Sequence, residues 1–276
     1  MQSPYFRTLI IAALCYAGLA RATNAQEIDT ASTEAPRLMV GISGGIHSIQ
    51  HTFSNRMLAP SNFTFNPATS LGWFAGVVAE LRMDTRLSLS LDARYNELSG
   101  SSSFAATAPT GQFVIASSSD SSGEYVYLDN LVFSYTSAID YASLSFGILA
   151  NWRETSQDTM LAVGLSAGPV IHAITRKELH QTEHLESHIN VRFLNPNGLP
   201  TEDDGRTVIY YTGKLESSRS LRVGFHLGLF AEFGNPASGL VISPGIFYDY
   251  GLQTVTSTEN WYVHTLNGRM MILVGL

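Results

Sequence analysis

The sequence predicts an all-β fold: an eight-stranded antiparallel up-and-down barrel that crosses a membrane. Three observations carry the prediction. Apolar and polar residues alternate with a period of two over eight stretches of about 11 to 15 residues, a pattern no helix can segregate. Strands of soluble domains run to ~5–6 residues, whereas a tilted membrane strand needs ~9–11. The connectors alternate between short and long. Only 14 % of the 276 residues are charged, against ~25 % in an ordinary soluble domain.

Taken in order, the first stretch is Leu38–Ser48, with Val40, Ile42 and Ile46 on one face and Ser43 and His47 on the other. Leu71–Arg82 sets Leu71, Trp73, Ala75, Val77, Ala79 and Leu81 against Gly72, Gly76, Glu80 and Arg82. The clearest run is Arg86–Asn96: its odd positions are Leu87, Leu89, Leu91, Ala93 and Tyr95, its even ones Arg86, Ser88, Ser90, Asp92, Arg94 and Asn96. Tyr141–Trp152 presents Ala142, Leu144, Phe146, Ile148, Ala150 and Trp152; Met160–Ile174 presents Leu161, Val163, Leu165, Ala167 and Ile171. Leu221–Phe233, Leu240–Leu252 and Leu266–Leu276 repeat the pattern.

The short connectors are 83–85, 153–159 and 234–239, the last with Asn235-Pro236 and Gly239 as turn formers. The long ones are 49–70, 97–140, 175–220 and 253–265. Short turns at one rim and long loops at the other are the arrangement of a membrane barrel. The Ser-rich loop 97–140 regains alternation from Tyr125, which reads as strands projecting beyond the bilayer. The alternative is a ten-strand count, with 125–137 spanning and 206–214 as its partner.

Residues 1–25 read as an export signal: Arg7, an apolar run from Leu9 to Ala20, and the small residues Ala22-Thr23-Asn24-Ala25 before Gln26. The run is too short for a membrane helix. Cys15 lies within it, preceded by Leu14 where a lipid-attachment motif needs a small residue. Cleavage removes the only cysteine, so no disulfide holds the mature chain. Of 16 basic groups Arg7 and Arg21 go too, leaving 14 against 23 acids, a net −9. That balance argues against nucleic-acid binding. Residues 26–37 form a polar, flexible periplasmic lead, and 38–276 the barrel, which places the protein in a cell outer membrane.

In such a barrel the apolar face meets lipid and the polar face fills a narrow lumen. The inward set is Arg82, Arg86, Arg94, Arg222 and Arg269, with Glu80, Asp92, Glu232 and Asp249, and His47, His172 and His226. Unpaired buried charge costs several kcal/mol, so this nearly neutral set predicts a plugged, charge-paired interior, with inward glycines leaving room for the arginines. Trp73, Tyr95, Tyr141, Trp152, Tyr248, Tyr250, Trp261 and Tyr262 are candidates for the interfacial aromatic girdles.

The pair Ile139-Asp140-Tyr141…Trp152 and Met160-Leu161-Ala162-Val163-Gly164…Ala167-Gly168-Pro169 resembles the PorT-like outer-membrane β-barrel group of Bacteroidota, within the small barrels of Gram-negative bacteria. There a Tyr-led strand, a short turn and an apolar strand ending in Ala-Gly-Pro recur. The resemblance implies fold and location, and insertion by the barrel-assembly machinery, although Leu276 stands where such barrels usually carry a terminal aromatic. It implies no activity. Ala142-Ser143-Leu144 replaces the group's usual Glu-hydrophobe-Pro.

Two constellations bear on chemistry. His180, His184 and His188 have the i, i+4, i+8 spacing that lines zinc ligands along a helix, and His180–His184 spells H-x-x-E-H; in a surface loop of a β-protein the expectation is a solvated polar segment. A lipid-modifying enzyme would need Ser, His and an acid at the bilayer edge, for which His172 and His264 are the candidate histidines. Glu80/Arg82 and Asp92/Arg94 read as structural ion pairs. The expectation is therefore a monomeric barrel with no catalytic, cofactor or metal site, surrounded by outer-membrane lipid and lipopolysaccharide, whose long loops are available to an extracellular ligand. The rivals are a narrow porin, a lipid-A-modifying enzyme and a soluble ligand-binding barrel.

Overall fold

Long alternating strands bury one face only if the sheet closes on itself, and here it does. The computed structural model describes residues 37–53, 69–108, 114–116, 131–155, 161–186, 191–193, 198–215, 217–234, 239–257 and 260–276. The strands are β1 (Arg37–Phe53), β2 (Thr69–Arg82), β3 (Leu87–Glu97), β4 (Gly100–Ala108), β5 (Val114–Ala116), β6 (Leu131–Thr155), β7 (Leu161–Leu185), β8 (Val191–Phe193), β9 (Thr201–Glu202), β10 (Thr207–Lys214), β11 (Leu221–Phe233), β12 (Leu240–Gly251) and β13 (Trp261–Gly275). β1, β2, β3, β6, β7, β11, β12 and β13 pair antiparallel in chain order. β13 returns to β1, from Met39 opposite Gly275 to Phe53 opposite Trp261. The ring thus has eight strands and no open edge, so each spanning strand finds ladder partners on both sides.

The ten-strand count fails on two points. Residues 131–137 belong to the same continuous strand as Tyr141–Trp152. β10 pairs with β7 only along its upper part, from Thr207 opposite His184 to Lys214 opposite Glu178. The export signal and residues 26–36 lie outside the described residues; Arg37, expected in the lead, opens β1.

The exterior is apolar. Ile42, Ile46, Leu71, Val77, Leu91, Phe146, Ile148, Val163, Leu229 and Ile246 are all more than half exposed, apart from any protein layer, while Arg82, Arg94, Arg153, Arg222 and Arg269 are buried inside. That distribution is the reverse of a soluble barrel, whose apolar side would be covered. The exterior belt meets hydrocarbon, and the chain is a transmembrane barrel.

At the long-loop end the apolar face changes sides. In β6, Leu144, Phe146, Ile148 and Trp152 point out, but Phe133, Ile139 and Tyr141 point in and are buried. β1 and β13 do the same with Ile49, Trp261 and Val263. Once a strand leaves lipid, its outer face meets water and its apolar residues turn inward. β7 makes the change with an extra residue: Ala142 pairs with Arg176 and Ser143 with Ile174, so Thr175 bulges out. Above that level β6 and β7, 25 residues each, continue beyond the bilayer. β4 flanks β6 and β10 flanks β7 there. The loops after β10 and β12 cross the mouth, joined by the Ser218–Thr256 bridge and by Arg219 N–H donating to the Val255 carbonyl (2.8 Å).

Candidate functional site

The lumen holds the protein's concentrated chemistry, and β-alternation puts it there. Toward the short-turn end Met39, Val78, Val241, Met271 and Leu273 form an apolar cluster. Next to it lie two guanidiniums and two carboxylates. Arg82 Nε is 3.0 Å from Glu80 and its Nη2 3.0 Å from Glu232. Arg153 Nη2 is 2.7 Å from Glu80 and 3.4 Å from Glu232. The charges sum to zero.

A second group follows. Asp92 sits 3.1 Å from Arg94 Nε and 3.0 Å from Arg269 Nη1. Arg94 Nη2 reaches Asp249 at 3.4 Å. His226 donates from Nδ1 to the other oxygen of Asp249, and Asn267 donates to the oxygen that Arg94 reaches, at 2.8 Å. Phe247 stacks on His226 and lies under the Arg269 guanidinium. Its ring occupies the space over Gly228, where a Cβ would come within 1.9 Å of Cδ1. Between the two charged groups is a void of about 10 Å³, lined by Val78, Glu80, Ser90, Asn151, Glu232 and Arg269 among others, room for one water.

Higher still, Arg222 donates to the Tyr141 hydroxyl (3.2 Å) and the Val263 carbonyl (3.3 Å). Gly251 makes way for it: a Cβ there would lie 2.8 Å from Nη2. His172 Nδ1 is 2.7 Å from Ser145 Oγ, which accepts from Asn96. Above this Ile49, Leu98, Ile139, Leu179, Leu215, Val255 and Val263 pack with Tyr141 and Trp261 into a cap.

Most of the residues expected in the lumen are there, with corrections. Arg86 is not: it lies in the bend before β3, largely exposed, 3.5 Å from Glu154. Arg153, expected in a turn, takes its place. Tyr141 and Trp261, expected in the girdles, are fully buried inward, and Trp261 donates to His51 Nδ1. Trp73, Tyr95, Trp152, Tyr248, Tyr250 and Tyr262 stay on the outer wall, the last three packed around His264. His264, on that wall, and His172, on the lumen side beside Ser145, share no site.

The described part of the histidine run is a strand, not a loop. His180 and His184 lie in β7, about 13 Å apart at strand rise, and Glu183 points to the opposite face. His188 lies outside the described residues. Among the described residues no group of three or more His, Cys, Asp or Glu is placed to hold a metal. Glu183 instead accepts from the Tyr210 hydroxyl at 2.5 Å and from Tyr135. Burial first, then the bond to this carboxylate, pushes both phenols up from their usual value.

The closed ring, apolar exterior and ion-paired interior define an eight-stranded transmembrane β-barrel. No family model matches the chain, and no curated protein matches it in sequence. Among solved structures it is similar to Neisserial surface protein A (11 % identity, TM-score 0.40, covering 86 % of this chain and 96 % of that one). It is also similar to OprG of Pseudomonas aeruginosa (8 %, 0.39, 87 % and 94 %) and to Ail of Yersinia pestis (9 %, 0.31, 86 % and 97 %).

Proposed function

We propose that the chain is an outer-membrane barrel whose lumen is sealed by paired charges, and that it acts as a structural or surface-interaction protein, neither pore nor enzyme. The supporting observation is the lumen itself: two interlocked charged groups between two apolar clusters, with a void of about 10 Å³ between them. In this reading residues 1–25 direct export and are cleaved. The short turns face the periplasm, and the outer ends of β6 and β7, with the long loops, offer the outer surface to a ligand. Lipopolysaccharide and phospholipid surround a monomer inserted by the barrel-assembly machinery. The Ile139–Trp152 and Met160–Pro169 pattern supports kinship with PorT-like barrels. Catalysis at the bilayer edge is disfavoured because Ser145, hydrogen-bonded to His172, is buried on the lumen side of the wall.

The test is conductance in planar bilayers by the refolded protein. No steady single-channel current is expected, and a reproducible one overturns the plug. Carbonate-washed membranes should retain the expressed protein, and lipid A from those cells should keep its mass; a soluble product or a new lipid A species refutes the reading.

A further inference from the structure

We propose that Tyr135 and Tyr210 are a modification site, at which oxidation joins the two rings as dityrosine and fastens β6 to β10 outside the membrane. Both hydroxyls converge on one carboxylate. Glu183 lies on β7 directly opposite Tyr135 of β6, and it accepts from Tyr210 of β10 at 2.5 Å and from Tyr135. β10 pairs with the other edge of β7, with Val208 opposite Glu183 and the ladder slipping between Ile209 and Tyr211. The slip leaves Tyr210 out of the pairing, and its ring reaches back toward β7. The two phenols thus come from strands about 10 Å apart, two strand spacings, and their hydroxyls meet over the strand between.

This arrangement favours one-electron oxidation. Removing an electron makes a phenolic hydroxyl strongly acidic, and a carboxylate already hydrogen-bonded to it takes the proton as the electron leaves. Glu183 serves each phenol in turn, passing the proton on to water. The two phenoxyl radicals couple through ring carbons ortho to oxygen, and the hydrogen on each joined carbon then moves to its own oxygen. In sum, two phenols lose two electrons and two protons, and one hydrogen peroxide, acting through a haem peroxidase, takes both and becomes two waters. The product carries its hydroxyls side by side, so both can still donate to Glu183. Tyr210 is 36 % exposed and Glu183 only 7 %, which sets an accessible ring over a fixed proton acceptor. The chain's one cysteine is Cys15, so no disulfide within the chain can tie its outer strands; this pair supplies a covalent link of another kind.

The test treats the full barrel, refolded in detergent, with hydrogen peroxide and a haem peroxidase, then maps the digested protein by mass spectrometry. The expected product is a linked pair of peptides carrying Tyr135 and Tyr210, two hydrogens lighter than their sum, with dityrosine fluorescence. Tyr135→Phe should abolish that link. Glu183→Gln keeps an acceptor but is no base, and should slow the linking by roughly tenfold or more. Tyr248 and Tyr250, with ring centroids 6.4 Å apart on the outer wall, show whether nearness alone suffices. Links mapped there with none at Tyr135–Tyr210, equal linking in urea-unfolded protein, or a rate indifferent to Glu183→Gln overturns the site. Should a variant not fold, the wild-type map decides: a Tyr135–Tyr210 link in the folded barrel supports the site, and its absence refutes it.

Discussion

Arg153 and Arg82 each hold Glu80 and Glu232 at once, so loss of Arg153 leaves two buried carboxylates sharing one guanidinium, with one negative charge stranded. Breaking such a pair costs about 3–5 kcal/mol. Arg153→Met should lower the unfolding free energy in urea titrations of the vesicle-inserted barrel by that order. Adding Glu232→Gln should recover part of the loss, since one stranded charge goes. A double variant no more stable than the single one contradicts the coupling. The residue was legible by parity, sharing the odd phase of Ser145, Gly147, Leu149 and Asn151, but the polar run Arg153-Glu154-Thr155 masked it as a turn. Arg86 had the right phase and the wrong height. Outside the bilayer, Tyr135 and Tyr210 hold their protons to higher pH than free phenols. Their folded pKa lies above the unfolded value near 10, so their contribution to stability is full below about pH 10 and is lost as pH rises through the folded value. Tyrosinate absorbance should show Tyr135 and Tyr210 ionising late, and Glu183→Ala should bring them forward.

At the level of the strand, the deciding property is depth. Leu91 lies mid-way along β3 on the lipid face and is more than half exposed, while Leu87 opens the strand opposite Trp152. Leu91→Arg should therefore cost about 2–4 kcal/mol and Leu87→Arg about 0–1 kcal/mol, read from the same urea titrations; equal costs would mean that the belt does not face hydrocarbon. The same depth effect limited what alternation could reveal. Each spanning segment was legible, because its apolar phase is constant within lipid. The phase inverts where β6 leaves the bilayer near Tyr141, and slips by one residue at Thr175 in β7. A period-two reading therefore ends β7 at the membrane boundary and hands the remainder, including His180 and His184, to a loop, whereas before Tyr141 the alternation resumes and reads as projecting strands. Beyond that boundary, pairs such as Val114 with Phe193 join residues far apart in sequence, and no local pattern announces them.

For the molecule as a whole, stability rests on closure. The ring was legible because short and long connectors alternate and the first and last stretches carry the same alternation, leaving their edges to meet. Which charges pair across the lumen was not, since Arg94 with Asp249 and Arg82 with Glu232 depend on the shape of the closed barrel. Closure makes a prediction that no open sheet shares. Ile272 pairs with Ile42 of β1 on one side and Ile242 of β12 on the other, at the seam joining the chain's first and last strands. Proline there removes a ladder donor from a strand paired on both sides, whereas Ile272→Val keeps the backbone and trims one methylene. On unboiled SDS gels the wild type and Ile272→Val should run as a compact band that shifts only on heating. Ile272→Pro should run at the unfolded position without heating. A heat-sensitive compact band in Ile272→Pro would mean that the β1–β13 seam does not hold the barrel shut.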